Sequence, residues 1–257
     1  MKGGTMYLFI IFTVTIILPL ILMPANMRND RVSPFRAVFN AAVGVCVAAA
    51  VVLMFSSLAE QGMFAQIKQV ISDMSSQVAV NPVWDMVPQM DKLSTAEKAE
   101  LFKQAYEALA IRIPAYIMTF ATIVAYVEYI IVSNMPWNRS KVKHMPAFMD
   151  FSLPGSAFMG IFLMYFAAWG ISMSGSTFGT AVYANVNFIF DFAFILQGIS
   201  VVFMFSYIKR IPKIAAVIVI VIALCSNICR MLLVLLGMFD LITGIKNRMT
   251  LGPVKRK

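Results

Sequence analysis

Charged and metal-binding side chains are scarce in this chain. Only 13% of its 257 residues are charged, and it has one histidine and three cysteines, whereas a soluble globular domain carries about 25% charged residues. Cys46, Cys225 and Cys229 fall within apolar segments and form neither a disulfide framework nor a zinc spacing. Cys225 and Cys229 could share a helix face and hold a soft metal, but free cysteine more often packs as a small hydrophobe. We therefore predict no metal site and no cofactor.

Long apolar runs take the place of the missing charges. Apolar residues make up 60% of the chain, and several runs exceed the roughly 18 residues that a bilayer crossing needs. We predict an all-α fold, a polytopic transmembrane helical bundle with about six to seven membrane helices and a helical extracytoplasmic insertion. The predicted membrane helices cover 6–23, 37–59, 113–135, 155–173 and 182–208, followed by the apolar segment 211–245.

The division of the chain follows from these runs. We predict two N-terminal transmembrane helices in 1–59, an extracytoplasmic helical region in 60–112, a C-terminal transmembrane bundle in 113–248 and a basic cytoplasmic tail in 249–257. Within 60–112, helices are indicated at about 62–79 and 95–110. Ser94 followed by Glu97 is a capping box at the start of the second. We expect this helix to run on through Pro114 into the next membrane helix.

The formal net charge of +9 comes mainly from basic residues in short flanks beside apolar runs. This is the positive-inside pattern of membrane proteins, so the charge does not require nucleic acid as a partner. The 60–112 region is acidic by comparison and suits the outer face. The pattern predicts a multi-pass protein of the cell (cytoplasmic) membrane with its C-terminus in the cytoplasm.

Residues 211–245 decide the topology. As one membrane helix they would place the basic tail outside, against the positive-inside rule. As a hairpin with its apex near Ser226–Arg230, each arm is somewhat short for a hydrocarbon core of about 30 Å, but the tail returns inside. We favour the hairpin, which makes Arg230 a structural residue at the outer interface.

Polar side chains interrupt the membrane helix at 182–208. Asn185, Asn187, Asp191 and Gln197 lie on it, and polar groups inside a membrane are costly enough to indicate a functional site. Asn187 and Asp191 are one turn apart and share a face. We predict that these four residues bind a ligand, and the alternative is hydrogen bonding between helices.

Asp240 is the other aspartate inside an apolar run. We interpret it as structural, because Lys246 and Arg248 follow closely and offer an ion pair. Asp191 and Asp240 lack the local motifs of intramembrane aspartyl proteases, so we predict no enzyme activity.

Four short patterns stand in a particular order between about residue 110 and residue 248. They are MPAFMDFSLP with Phe148, Leu153 and Pro154; Asn185 near the start of a span; Gln197, Gly198, Ile199 and Ser200; and LLGMFDLITGIKNR with Gly237 and Asp240. In their order and spacing the chain resembles the YybS-like family of bacterial integral membrane proteins. Gly198 and Gly237 are interpreted as structural.

Members of that family are similar to the substrate-binding (S) components of energy-coupling-factor vitamin transporters. The resemblance therefore implies a transporter-like membrane protein that binds a small molecule, with the lipid bilayer and other membrane protein subunits as partners. The alternative function is a non-transporting scaffold or regulatory protein that uses the 60–112 region to bind a partner.

Overall fold

The computed structural model describes residues 2–28, 32–57, 63–136, 142–153 and 155–251. Every regular element within these ranges is helical, which confirms the all-α prediction. The chain divides into two compact units, Met1–Lys143 and His144–Lys257.

The first unit is built from helices that pack through small side chains. Its helices are α1 (Lys2–Met27), α2 (Pro34–Ser57), α3 (Met63–Ala79), α4 (Thr95–Ile111) and α5 (Ile113–Asn134). Ala42, Val45 and Ala121 are fully buried, with Leu18 packed against them. A Cβ atom on Gly44 would lie only 2.6 Å from the Leu22 side chain. Small residues thus allow α1, α2 and α5 to approach closely.

The position of α5 differs from the predicted division of the chain. We expected 113–248 to form one C-terminal bundle, but α5 packs on α1 and α2 inside the first unit. The physical reason is the fit of Ala121 against Ala42 and Val45. A single sequence does not display such a pairing between distant helices.

The capping box predicted at the start of α4 is confirmed. Glu97 N donates to Ser94 Oγ at 3.3 Å, and Ser94 N donates to Glu97 Oε2 at 2.8 Å. Hydrogen bonds from Ser94 stabilise the carboxylate and so lower the pKa of Glu97. The expected continuous helix is not observed, because α4 ends at Ile111 and α5 begins at Ile113. Pro114 has no N–H group to donate to the carbonyl oxygen of Ala110, and its ring crowds that carbonyl, which explains the interruption.

The second unit begins with a short 3₁₀ turn at Phe148–Asp150, and five α-helices follow in its described part. They are α6 (Gly155–Ser172), α7 (Thr177–Ile208), α8 (Lys213–Cys225), α9 (Asn227–Thr243) and α10 (Ile245–Leu251). The segment predicted as a hairpin is two helices, with a bend of 114° at the break between α8 and α9. The break falls at Ser226, the start of the predicted apex. Of the predicted basic tail, 252–257 lies outside the described residues.

Several helices are suited to a membrane. Within the described residues, Pro34–Val52, Ile113–Asn134 and Thr177–Ile208 are long and apolar enough to cross one, and α8 with α9 would make a fourth span if the pair counts as one. The apolar stretches Phe9–Pro24 and Phe158–Ser172 are shorter than the 18 residues that such a crossing needs. These helices are consistent with a multi-pass membrane protein, while the count of six to seven crossings stays a prediction.

Candidate functional site

Helices α7 and α9 touch backbone to backbone at two glycines. A Cβ atom on Gly198 would collide with the carbonyl oxygen of Leu233. A Cβ atom on Gly237 would collide with the carbonyl oxygen of Phe194 and lie 2.9 Å from Gly198 N. Only glycine allows this approach, which is the means by which membrane helices pack most tightly. The structural roles interpreted for Gly198 and Gly237 thus have a geometric basis.

Four polar side chains meet beside this crossing, and we call them the polar junction: Gln197, Ser200, Asp240 and Lys246. Gln197 Nε2 donates to Asp240 Oδ2 at 2.5 Å, and Lys246 Nζ donates to Ser200 Oγ at 2.8 Å. Ser200 Oγ donates to the carbonyl oxygen of Gln197 at 2.7 Å. The junction thus ties together α7, α9 and α10.

The junction also binds the non-helical segment that precedes α6. The backbone N–H of Leu153 donates to Gln197 Oε1 at 3.0 Å, and Lys246 Nζ donates to the carbonyl oxygen of Phe151. Backbone groups outside a helix need partners when water is excluded. Gln197 and Lys246 supply those partners, so both polar atoms of the Gln197 amide are used within the fold.

The charges in the junction are almost completely buried. Asp240 is 4% exposed and Lys246 is 7% exposed, and their charged atoms Oδ2 and Nζ lie 3.5 Å apart. This is the ion pair that we expected for Asp240. Burial lowers the pKa of the Lys246 ammonium, while the Asp240 carboxylate acts in the opposite direction. The pair therefore offsets part of the cost of burying each charge.

A left-handed turn brings Lys246 back to Asp240. Gly244 ends α9 with φ at 64°, and its N–H donates to the carbonyl oxygen of Asp240 at 2.7 Å. The N–H of Lys246 then donates to Asp240 Oδ1 at 2.9 Å. Asp240 therefore also binds the first turn of α10, where a negative charge is favourable.

A second set of side chains lies nearer the start of α7, and we call it the charged aromatic group: Tyr165, Tyr183, Asp191 and Arg230. The hydroxyl groups of Tyr165 and Tyr183 are 3.0 Å apart. The Tyr165 ring lies 4.7 Å from the Phe190 ring, centroid to centroid. Asp191 is half-buried and within electrostatic range of Arg230 and Tyr165. Three helices, α6, α7 and α9, contribute to this group.

The charges in this second group are not paired directly. Among the described residues, neither Asp191 nor Arg230 has an ion pair or a hydrogen bond from its side chain. Asn185 Nδ2 donates to the carbonyl oxygen of Ala181 in its own helix, at 2.8 Å. Asn187 is half-buried one turn before Asp191. The four predicted ligand-binding residues are thus divided, with Gln197 in the polar junction and Asp191 in the charged aromatic group.

Helices α7 and α9 run in the same direction. Gly237 lies against Phe194, and three residues farther along both helices Asp240 is hydrogen-bonded to Gln197. At 1.5 Å per residue, Asp191 lies about 26 Å from Ile208 at the end of α7, and Gln197 lies about 16 Å from it. The charged aromatic group is therefore farther than the polar junction from the basic residues that follow Ile208.

Sequence reasoning missed part of both sets. It did not single out Tyr165 or Tyr183, because a contact between tyrosines on two helices leaves no local signal in apolar runs rich in aromatic residues. The backbone groups of Phe151 and Leu153 were also missed. Ser200 and Leu153 did appear in the patterns that carry the family resemblance. The structure brings these patterns together, with Leu153, Gln197 and Asp240 hydrogen-bonded in one place.

Comparison with known proteins identifies the family to which the chain belongs. The family described as "Predicted membrane protein (DUF2232)" matches residues 3–241. No curated protein and no solved structure matches the chain. The match covers most of the chain, including α7, α8 and all but the last two residues of α9. The protein therefore belongs to this family of predicted membrane proteins.

Proposed function

We propose that this protein binds a small molecule within the membrane, as transporter proteins do, at the charged aromatic group. The observation that carries the proposal is the unpaired state of Asp191 and Arg230 on neighbouring helices. The half-buried Asp191 carboxylate is costly in an apolar bundle without a partner, and a ligand that also reaches the exposed Arg230 would supply one. The polar junction, by contrast, has its partners within the protein.

The resemblance to the YybS-like family supports the same function. It implies a likeness to the substrate-binding components of energy-coupling-factor transporters. Such a component works with other membrane subunits, which would be partners of this chain. Under this proposal the ligand enters from the outer side, because Asp191 lies about 26 Å along α7 from the basic flank, which is most of a hydrocarbon core of about 30 Å.

The proposed topology has six to seven crossings of the cell membrane, an extracytoplasmic 60–112 region and a cytoplasmic C-terminus. The parallel course of α7 and α9 supports it, since the chain returns after α9 to the side of Lys209, Arg210 and Lys213. A cysteine-free variant carrying either Thr250→Cys or Gln89→Cys tests this in intact cells. An impermeant thiol reagent should label position 89 only. Labelling at position 250 from outside would contradict the topology.

Ligand binding is tested by thermal unfolding of the purified protein in nanodiscs against a panel of vitamins and other metabolites. A ligand that binds only the folded state must raise the unfolding temperature. We expect a compound that stabilises the wild type but not Asp191→Asn. The exposed Asp73 of α3 provides the same chemical change as a control, and Asp73→Asn should respond as the wild type does. If no compound stabilises the wild type, the proposed function is wrong.

A second candidate function is a scaffold or regulator that binds a partner through the 60–112 region. The loop between α3 and α4 favours it, because Val80, Val83 and Met86 are exposed there. Apolar side chains exposed together often mark an interaction site. Under this alternative, Val83→Ser with Met86→Ser should abolish the cellular activity of the protein, whereas Asp191→Asn should not.

A further inference from the structure

The two charges of the charged aromatic group lie at the same level of the α7–α9 pair. Asp191 precedes Gly198 by as many residues as Arg230 precedes Gly237, about two helical turns. Helices α7 and α9 are in backbone contact at these glycines. At the level of the two charges, the described structure has no ion pair between the helices. Asp191 is half-buried and Arg230 is exposed, so both charges can be reached from outside the α7–α9 pair, with a gap between them.

A ligand with a single charge does not suit this gap. A cation at Asp191 would be repelled by Arg230, and an anion at Arg230 would be repelled by Asp191. A molecule that carries both charges satisfies both residues at once. It also avoids leaving either charge desolvated without a partner when the ligand excludes water.

Aromatic rings line the same part of the second unit. Phe190 lies 4.7 Å from Tyr165 and 4.5 Å from Phe194, centroid to centroid. Phe162 is edge-on to Phe190 at 5.6 Å. Phe190 and Phe194 are buried, whereas Tyr165 is half-buried, so Tyr165 is a ring of this set that a flat apolar group can still reach. The paired hydroxyls of Tyr165 and Tyr183 add one polar contact at the edge of this wall.

From this arrangement we propose that the site takes a small zwitterion with an aromatic body, such as an aromatic amino acid. Its cationic end lies at Asp191, its anionic end at Arg230, and its ring against Tyr165. The inference rests on the proposed function and names the ligand class of that same site.

The test uses three compounds with nearly the same body and different charge. They are phenylalanine, which is zwitterionic, phenethylamine, which is cationic, and 3-phenylpropionate, which is anionic. Binding to the wild type in nanodiscs is measured by calorimetry and by the rise in unfolding temperature. We expect phenylalanine to bind at least about tenfold more tightly than either singly charged compound.

Two variants then assign the charges. Asp191→Asn should weaken phenylalanine at least about tenfold and bring its affinity close to that of 3-phenylpropionate. Arg230→Gln should weaken phenylalanine similarly and bring it close to phenethylamine. Asp73→Asn should bind as the wild type does. Both site variants should unfold near the wild-type temperature without ligand, which shows that they fold.

The results separate this inference from the function on which it rests. If either singly charged compound binds as tightly as phenylalanine, the zwitterion class is wrong while the binding function stands. If none of the three binds but another compound of the metabolite panel does, the zwitterion class is again wrong and the function stands. If nothing in either set binds, both are wrong.

Discussion

The polar junction and the charged aromatic group share helices α7 and α9 and differ in how their charges are partnered. In the junction, Asp240 receives hydrogen bonds from Gln197 and from the backbone of Lys246, and it pairs with the Lys246 ammonium. In the charged aromatic group, Asp191 and Arg230 interact only at a distance. A carboxylate that is fully hydrogen-bonded serves the fold, whereas one without direct partners is available to a ligand. A polar residue in a membrane helix therefore indicates a function only after its partners are known.

The largest effect is expected from breaking the buried ion pair. Asp240→Ala leaves the Lys246 charge buried without its partner, which typically costs about 3–5 kcal/mol. The measurement is the free energy of unfolding in detergent or nanodiscs. Replacing both residues, as Asp240→Leu with Lys246→Met, should cost clearly less, because no charge is then stranded. The exposed Lys103–Glu100 pair is the control, and Lys103→Ala should cost no more than about 1 kcal/mol. An equal cost for both pairs would remove the distinction on which the comparison depends.

The next effect comes from the glycine contact. Gly198→Ala places a methyl group against the backbone of Leu233, so we expect a loss toward the upper end of about 1–3 kcal/mol. Gly160→Ala is the matched control, since a Cβ there meets nothing within 4 Å. In a helix this change should be neutral or stabilise by up to about 1 kcal/mol. If both variants unfold alike, the close approach of α7 and α9 is not present in the protein.

A smaller effect is expected from Ser200→Ala. It removes one acceptor from Lys246 Nζ, which keeps Asp240 and the carbonyl oxygen of Phe151. A single hydrogen bond with a charged partner contributes about 1.5–3 kcal/mol, and the remaining partners should hold the loss near the lower value. Thermal unfolding against Ser76→Ala, an exposed serine of α3, measures it. A loss as large as that of Asp240→Ala would show that the junction acts as one unit.

The smallest effect on stability is expected at Asp191. Because its carboxylate has no direct partner in the described structure, Asp191→Asn should change the free energy of unfolding by no more than about 0.5 kcal/mol. The same variant should lose ligand binding. A large destabilisation in the absence of ligand would place Asp191 with Asp240 as a residue of the fold and end the contrast between the two sets.

The helices and the contacts within short stretches of chain could be predicted from the sequence alone. The helices follow the apolar runs, since α7 was predicted at 182–208 and is observed at Thr177–Ile208. The Ser94–Glu97 capping box is a contact within one turn, so its spacing was enough to predict it. The Asp240–Lys246 pair was also accessible, because the two residues are close in the chain.

Contacts between distant segments could not be predicted in the same way. Gln197 was grouped with Asn185 and Asp191 because all three lie on one helix. The structure separates it from them through Leu153 and Asp240, which are 44 and 43 residues away. Pro114 was expected to lie inside a continuous helix, but its missing N–H group and its ring interrupt the helix before it, despite the apolar pattern around it.

Composition and the spacing of apolar residues were enough to predict a helical protein with membrane helices and a few polar residues within α7 and α9. These properties depend on geometry within one helix, which is known in advance. Which polar residues have partners within the fold depended on contacts between distant segments. The backbone contact of Gly198 and Gly237 sets the register of α7 against α9, and that register places Gln197 beside Asp240 and leaves Asp191 and Arg230 apart.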